Sequence, residues 1–182
     1  MTPDDWNDLA DAFGERVDHT TAAGWVAPAP CEGWVARDIV AHLVEWVPAL
    51  LAAGASIDLG SGPDPVTDPA GAWHHLDDAI RDVLADPQQA DAVFDHPMAG
   101  RHRVADAIAS FVLGDVFLHT WDIARATGQD EQLDPAFVHE MLVGMEPMAE
   151  MLEQSGQYGP RVAVAEDADE QTRLLGLVGR RA

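Results

Sequence analysis

Asp115-Val-Phe-Leu-His-Thr-Trp-Asp-Ile-Ala-Arg-Ala-Thr-Gly128, read with residues 104–114 before it, is the most strongly apolar helical run in the chain. Ile108, Phe111, Val112, Val116, Leu118 and Ile123 recur at helical intervals, so one face of this helix must be buried. Asp115 and His119 stand four positions apart, which puts a carboxylate and an imidazole on one face, one turn apart. Asp122 follows three positions later and extends the polar stripe. Such a stripe is costly to bury without compensation, which a divalent metal or a hydrogen-bonded Asp–His pair would provide.

His42 favours the metal. It lies in residues 36–53, Ala-Arg-Asp-Ile-Val-Ala-His-Leu-Val-Glu-Trp-Val-Pro-Ala-Leu-Leu-Ala-Ala, a second strongly apolar helical pattern. Two bundle helices with inward polar residues can supply three ligands to one ion. A His, His, Asp set suits Zn, Ni, Mn or Fe(II) with coordination positions left open. The alternative is a satisfied polar cluster without metal, and the residues alone leave it open. Asp122 is either an acceptor that orients a ligand His or a helix-face acid near Arg125 or solvent.

Two stretches carry a resemblance. Residues 25–42 contain Pro-Ala-Pro-Cys-Glu-Gly-Trp-Val-Ala-Arg-Asp-Ile-Val-Ala-His, and residues 115–128 contain Leu-His-Thr-Trp-Asp-Ile-Ala-Arg-Ala-Thr-Gly. Together they resemble the DinB-like, mycothiol-dependent maleylpyruvate isomerase N-terminal domain family, a group abundant in actinobacteria. The tail Arg173-Leu-Leu-Gly-Leu-Val-Gly-Arg180 is similar to that of single-domain members. The resemblance implies a four-helix bundle with one metal, held by a His on the second helix and an acid–x3–His pair on a later one. It thereby implies His42, Asp115 and His119 as ligands, with Zn the first expectation and Ni the second. It also implies a low-molecular-weight thiol of the mycothiol type as co-substrate. The isomerase carries Glu where this chain carries Asp115, a shorter arm.

Composition narrows the classes. A chain of 182 residues with 47% apolar content is expected to form one domain, with residues from about 160 to 182 as a C-terminal extension packed on it. Thirty-two acids stand against ten Arg and no Lys, for a formal net charge of -22. That surface disfavours nucleic acid and anionic membranes as partners. Without Lys there is neither Schiff-base chemistry nor a phosphate-loop lysine. Cys31 is the single cysteine, so no intrachain disulfide forms. No signal peptide is expected, nor a run of about 18 uncharged apolar residues to span a membrane, so a cytoplasmic protein is expected.

The rest of the chain reads as all-α, with additional short helices and long loops. A first helix starts at Thr2-Pro3-Asp4-Asp5 and presents Trp6, Leu9, Phe13 and Val17 as far as about His19. Residues 20–34 form an ordered loop carrying Trp25 and Trp34, and Pro48 should kink the second helix or end it soon after. Residues 54–68 form the longest surface loop; Asp68-Pro69 opens a third helix, which Pro87 ends. Residues 91–103, interrupted by Pro97 and Gly100, suit a short hairpin or lid. Asp134-Pro135 opens a further helix through Met141, Met145, Met148 and Leu152. Residues 161–165 are a strand or a draped segment, and residues 171–178 a last short helix.

The other candidates weigh less. Glu45, near His42, is a general base or a solvated acid. No His-Glu-x-x-His occurs, which removes the common zinc-protease reading. Cys31 is expected to be buried beside Trp34 rather than nucleophilic, and His74, His75 and His139 to lie on the surface. The methionines pack the core or line a pliable pocket. Arg101 and Arg103, in the one basic cluster, are candidates for binding a substrate or cofactor anion.

The resemblance implies a metal-dependent transferase or isomerase that joins a small-molecule thiol to an electrophilic substrate, with a water-activating hydrolase on the same site as a close variant. The alternative is a non-catalytic metal- or ligand-binding helical bundle. A homodimer is compatible with both.

Overall fold

In the computed structural model the chain is described over residues 1–182, with every side chain but that of Ser155. It is mostly helical, with one two-stranded sheet among the described residues. The long helices are α1 (Trp6–Asp18), α2 (Ala36–Ala55), α3 (Pro69–Ala85) and α4 (Val104–Thr127). They pack in a ring: α1 against α4 and α3, and α2 against α3 and α4. Each turns its apolar stripe inward, Trp6, Leu9, Phe13 and Val17 from α1 and Ile39, Leu43, Val47 and Leu51 from α2, all buried.

Asp68 starts α3 by accepting from the Gly71 amide at 2.9 Å, and Pro69 occupies the first turn, where its missing N–H costs nothing. Asp134 does the same for α5 (Pro135–Met145), accepting from Ala136 and Phe137. Helix α5 touches α4 through Phe137, edge-on to Phe117 at 6.0 Å. After it come α6 (Ala149–Ser155) and α7 (Glu170–Leu177), the latter packed on α5.

The hairpin expected over residues 91–103 is present, as β1 (Val93–His96) paired antiparallel with β2 (Gly100–Arg103). Its buried Phe94 seats on α2 at Gly54, where a Cβ would meet the Phe94 ring at 2.1 Å. Only glycine admits that approach.

Two expectations are narrowed and two corrected. At Pro48 α2 does not end soon after but runs on to Ala55 and stops at Ser56 in the left-handed conformation. Pro147 does interrupt the Met-rich helix: a 3-10 turn over Glu146–Met148 separates α5 from α6. Within α4, Ile108–Val112 forms a π-turn, which the apolar pattern conceals because Ile108, Ala109 and Val112 are buried regardless. Residues 161–165 form no strand; Val162 donates to the Gly176 carbonyl at 2.9 Å, so the segment drapes over α7.

Helices α2 and α4 carry charged residues, yet by length and composition alone they are long and apolar enough to cross a membrane. Most of α4 is nevertheless buried within the protein, and the apolar stripe of α2 is spent on the same core.

Candidate metal centre

The packing of α2 on α4 brings His42 to Asp115 and His119. Asp115 lies between the two imidazoles: His42 Nε2 is 3.1 Å from its Oδ2 and His119 Nε2 is 3.5 Å from its Oδ1. One nitrogen from each ring and a carboxylate oxygen all lie within 4.8 Å of one another. Neighbouring ligands on a four-coordinate ion with bonds of about 2.0–2.1 Å stand about 3.4 Å apart, so little movement would close the set. Trp46, one turn beyond His42, donates its indole N–H to Asp115 Oδ2 at 3.0 Å. Trp34 stacks over His119 with ring centroids 6.0 Å apart and tilts across His42 at 5.2 Å. Exposure grades outward, from 5% for the His119 side chain to 24% for Asp115 and 34% for His42.

Behind His119 the cluster is closed. His119 Nδ1 is 2.8 Å from Asp122 Oδ2, and Asp122 is fully buried. Arg180 grips that carboxylate with two donors, Nε to Oδ1 at 2.9 Å and Nη2 to Oδ2 at 2.6 Å. Local backbone geometry delivers Arg180. Gly179, with φ of 83°, reverses the chain after α7, and the Arg180 amide returns to the Leu175 carbonyl at 2.8 Å. This is a Schellman closure, and at Gly179 a Cβ would lie 2.6 Å from Gly159. The half-buried Cys31 thiol approaches Asp122 Oδ2 at 3.6 Å, at the edge of this network rather than in purely apolar surroundings.

Two overlapping trios could therefore be considered, His42/Asp115/His119 and Cys31/His119/Asp122. The second does not fit, because both Asp122 oxygens already face the guanidinium, which would repel a cation beside it. The first fits. An Nδ1–H donated to Asp122 leaves the His119 Nε2 lone pair directed at Asp115 and His42, the arrangement that a metal-binding imidazole needs.

The electrostatics agree. Burial opposes charge on Asp115, but His119, His42 and the Trp46 N–H outweigh it and hold the carboxyl below its ordinary pKa. Burial likewise opposes charge on His119, yet Asp115 and Asp122 carry its pKa up to about 10. Despite burial, His119 and Arg180 hold Asp122 down to about 2. Without a cation, a proton sits on His119 between two carboxylates; a metal at Nε2 must displace it.

Asp115 and Trp46 also line a cavity of about 750 Å³. Its walls include the π-turn residues Ser110 and Phe111 and the methionines Met141, Met145 and Met148, while Met151 lies exposed. Tyr158 lines it too; burial, then the Asp115 charge, raise its pKa and keep the phenol protonated.

Other candidates lie elsewhere. Arg101 is exposed on β2 and 3.8 Å from Asp95; Arg103 donates to Asp91 at 3.0 Å and lies 3.6 Å from Asp106. Neither is among the residues lining the cavity. Glu45 is exposed. His74 pairs with Asp18 and His139 with Glu170, while His75 is half-buried against the Leu59 carbonyl. Sequence reasoning missed Arg180, Tyr158 and the indole roles of Trp34 and Trp46. Only Trp46, four positions beyond His42, carried a helical-spacing signal.

No family model matches the chain, and no solved structure matches it. Two proteins of Mycobacterium tuberculosis are similar, the uncharacterized protein MT0763 of strain CDC 1551 / Oshkosh and the uncharacterized protein Rv0738 of strain ATCC 25618 / H37Rv. Each is 29% identical over 140 residues, covering 72% of this chain and 70% of the relative.

Proposed function

We propose that the protein is a metal-dependent enzyme on a DinB-like four-helix bundle, a transferase or isomerase that uses a low-molecular-weight thiol of the mycothiol type. The observation that carries this reading is the convergence of His42, Asp115 and His119 beside a cavity of small-molecule size. These three residues would hold a divalent ion, Zn first and Ni second. When bound, such an ion supplies the positive charge that keeps a thiol deprotonated near neutral pH.

The chain's own groups divide the remaining work. Asp122, fixed by Arg180, orients His119 and keeps its Nε2 facing inward. Trp34 covers both imidazoles and limits water access from the loop side. Tyr158 holds a proton at Oη on the cavity wall, where it can donate to a developing negative charge on the electrophile. Asp115 faces the same space and links the ligand set to the substrate volume.

One observation favours the second reading, a bundle that binds metal or an apolar ligand without turnover. Glu45, the candidate base near His42, is exposed and does not line the cavity. The experiment is metal analysis of protein purified without a His tag, followed by an assay of thiol consumption with 1-chloro-2,4-dinitrobenzene as electrophile. Stoichiometric metal, lost in His119→Ala, with consumption above the uncatalysed rate supports the enzyme. Metal without consumption supports the binding protein. Retention of stoichiometric metal by His119→Ala ends both metal readings.

A further inference from the structure

We infer that the cavity beside Asp115 takes an apolar small molecule without an anionic group, and so selects against carboxylate- and phosphate-bearing substrates. This gives the substrate class for the site proposed above and rests on that reading only in treating the cavity as the substrate site.

The walls state the chemistry. Trp46, Leu50, Phe111, Met141 and Met145 provide aromatic and pliable thioether surface, which adapts to apolar ligands of irregular shape. At about 750 Å³ the space lies within the range of small-molecule sites. Two carboxylates line it, Asp115 and Glu140, and among the described residues no Arg side chain does. Besides the His96 imidazole, the basic group on the wall is the Met1 ammonium, paired with Glu140.

The arginines that could have recognised an anion are committed. Arg101 and Arg103 face the acids of the hairpin, and Arg180 is spent on Asp122 behind His119. The chain's net charge of -22 adds a repulsive field at the mouth. In the metal-free cavity an anionic ligand would shed water and meet neutral donors such as the Tyr158 phenol but no arginine, whereas an uncharged one would lose little and gain apolar contact. The one basic cluster in the sequence pointed the other way, toward Arg101 and Arg103 as an anion site.

The test uses chelator-treated full-length protein, so it does not depend on a metal. N-phenyl-1-naphthylamine, an uncharged dye that fluoresces in apolar surroundings, is titrated in. It is then displaced by 4-phenylbutan-1-ol or by 4-phenylbutyrate, which share a shape and differ in charge. The alcohol is expected to compete roughly tenfold better or more, since the carboxylate finds no compensating cation. Gly144→Phe should abolish dye binding. Gly144 lines the cavity on α5, its backbone φ is not in the positive range, and a Cβ there meets nothing within 4 Å. Ser110→Arg, at an exposed position on the wall, should improve phenylbutyrate by about tenfold through a charge-assisted bond.

Equal or tighter binding of phenylbutyrate by the wild type overturns the inference, as does dye binding unchanged by Gly144→Phe. Should Gly144→Phe fail to fold, the wild-type preference and the Ser110→Arg shift decide alone. Metal uptake is measured separately, so failure here with intact uptake leaves the metal reading standing, and the converse failure leaves the cavity chemistry standing.

Discussion

Two inward-facing aspartates accept a hydrogen bond from a tryptophan, and they end in opposite states. Asp77 on α3 accepts Trp6 Nε1 at 2.8 Å and Arg81 Nε at 2.8 Å; Arg81 then reaches Asn7 and Asp11 on α1. Asp115 on α4 accepts Trp46 Nε1, but where the first cluster has a guanidinium it has the imidazoles of His42 and His119. Arginine carries its charge at every relevant pH, so the Asp77 carboxylate has a permanent counter-ion. Imidazole holds either a proton or a lone pair, so the Asp115 cluster can exchange a proton for a metal. The first also ties α1 to α3, whereas the second borders a cavity. The two clusters differ in cation type, a permanent guanidinium in one and titratable imidazoles in the other.

The largest expected effect tests how the Asp115 cluster is held. Arg180→Ala leaves Asp122 fully buried with His119 as its remaining charged partner. Breaking a buried pair on one side costs about 3–5 kcal/mol, so a denaturant midpoint should fall accordingly. Metal affinity should fall too, by about 10–100-fold, because Asp122, no longer held by Arg180, fixes the His119 ring less firmly. A loss of stability with metal affinity intact would reduce Arg180 to a fastening residue of the Asp77 kind.

Next comes metal itself. Zn at about a hundredfold excess over its Kd should stabilise the wild type by about 2.7 kcal/mol. The sign with pH follows from the raised His119 pKa. In metal-free protein the pairing contribution of His119 is fully present below its unfolded value of 6.5 and is lost as pH rises through about 10. Asp122 works the other way, its contribution present above 3.8 and lost as pH falls through about 2. Zn must displace the His119 proton, so the gain in Tm with Zn over chelator should grow from pH 5.5 to 8. A Tm indifferent to Zn and chelator throughout that range would break the comparison, making both clusters fasteners.

The site's front was legible in the sequence and its back was not, for a physical reason. Asp115 and His119 share a helix, where a spacing of four fixes a common face, and His42 sits in an equally apolar pattern. Asp122 was legible as an acceptor for the same reason. Arg180 lies 58 residues from Asp122 and is delivered by the Gly179 reversal, a tertiary fact with no periodicity. Tyr158 arrives in a segment without helical pattern. The hairpin followed from Pro97 and Gly100, whereas the π-turn at Ile108–Val112 left no mark in a run buried on several faces. Proline was legible only in part: α2 continues past Pro48 to Ala55, while Pro147 divides the Met-rich helix without having been read as a break.

A smaller effect tests the other half of the comparison. Arg81→Ala removes the guanidinium but leaves Asp77 accepting the Trp6 N–H. The cost should be about 1–3 kcal/mol, with the Zn response unchanged. A weakened Zn response would mean that the two clusters are coupled through the core.

The smallest effect decides between the two possible ligand trios. Cys31 approaches Asp122 Oδ2 at 3.6 Å, where that oxygen already accepts from Arg180 and faces His119. In Cys31→Ser the hydroxyl can donate to the same carboxylate from a half-buried position, so stability should change by no more than about 0.5 kcal/mol. Zn affinity, measured by competition with a chromophoric chelator, should stay within experimental error of the wild type. The alternative trio of Cys31, His119 and Asp122 predicts otherwise, since there the sulfur is a ligand and a serine oxygen is a poor substitute for thiolate on Zn. A fall of about tenfold or more, the scale on which even groups behind a metal ligand act, would place the ion beside Cys31. Arg180 would then have to release Asp122 when the metal binds, and the His42 and Asp115 pair would become the outer partner. With affinity unchanged, the thiol is an onlooker, and the ion belongs on the cavity side of His119, in reach of Asp115 and whatever the cavity holds.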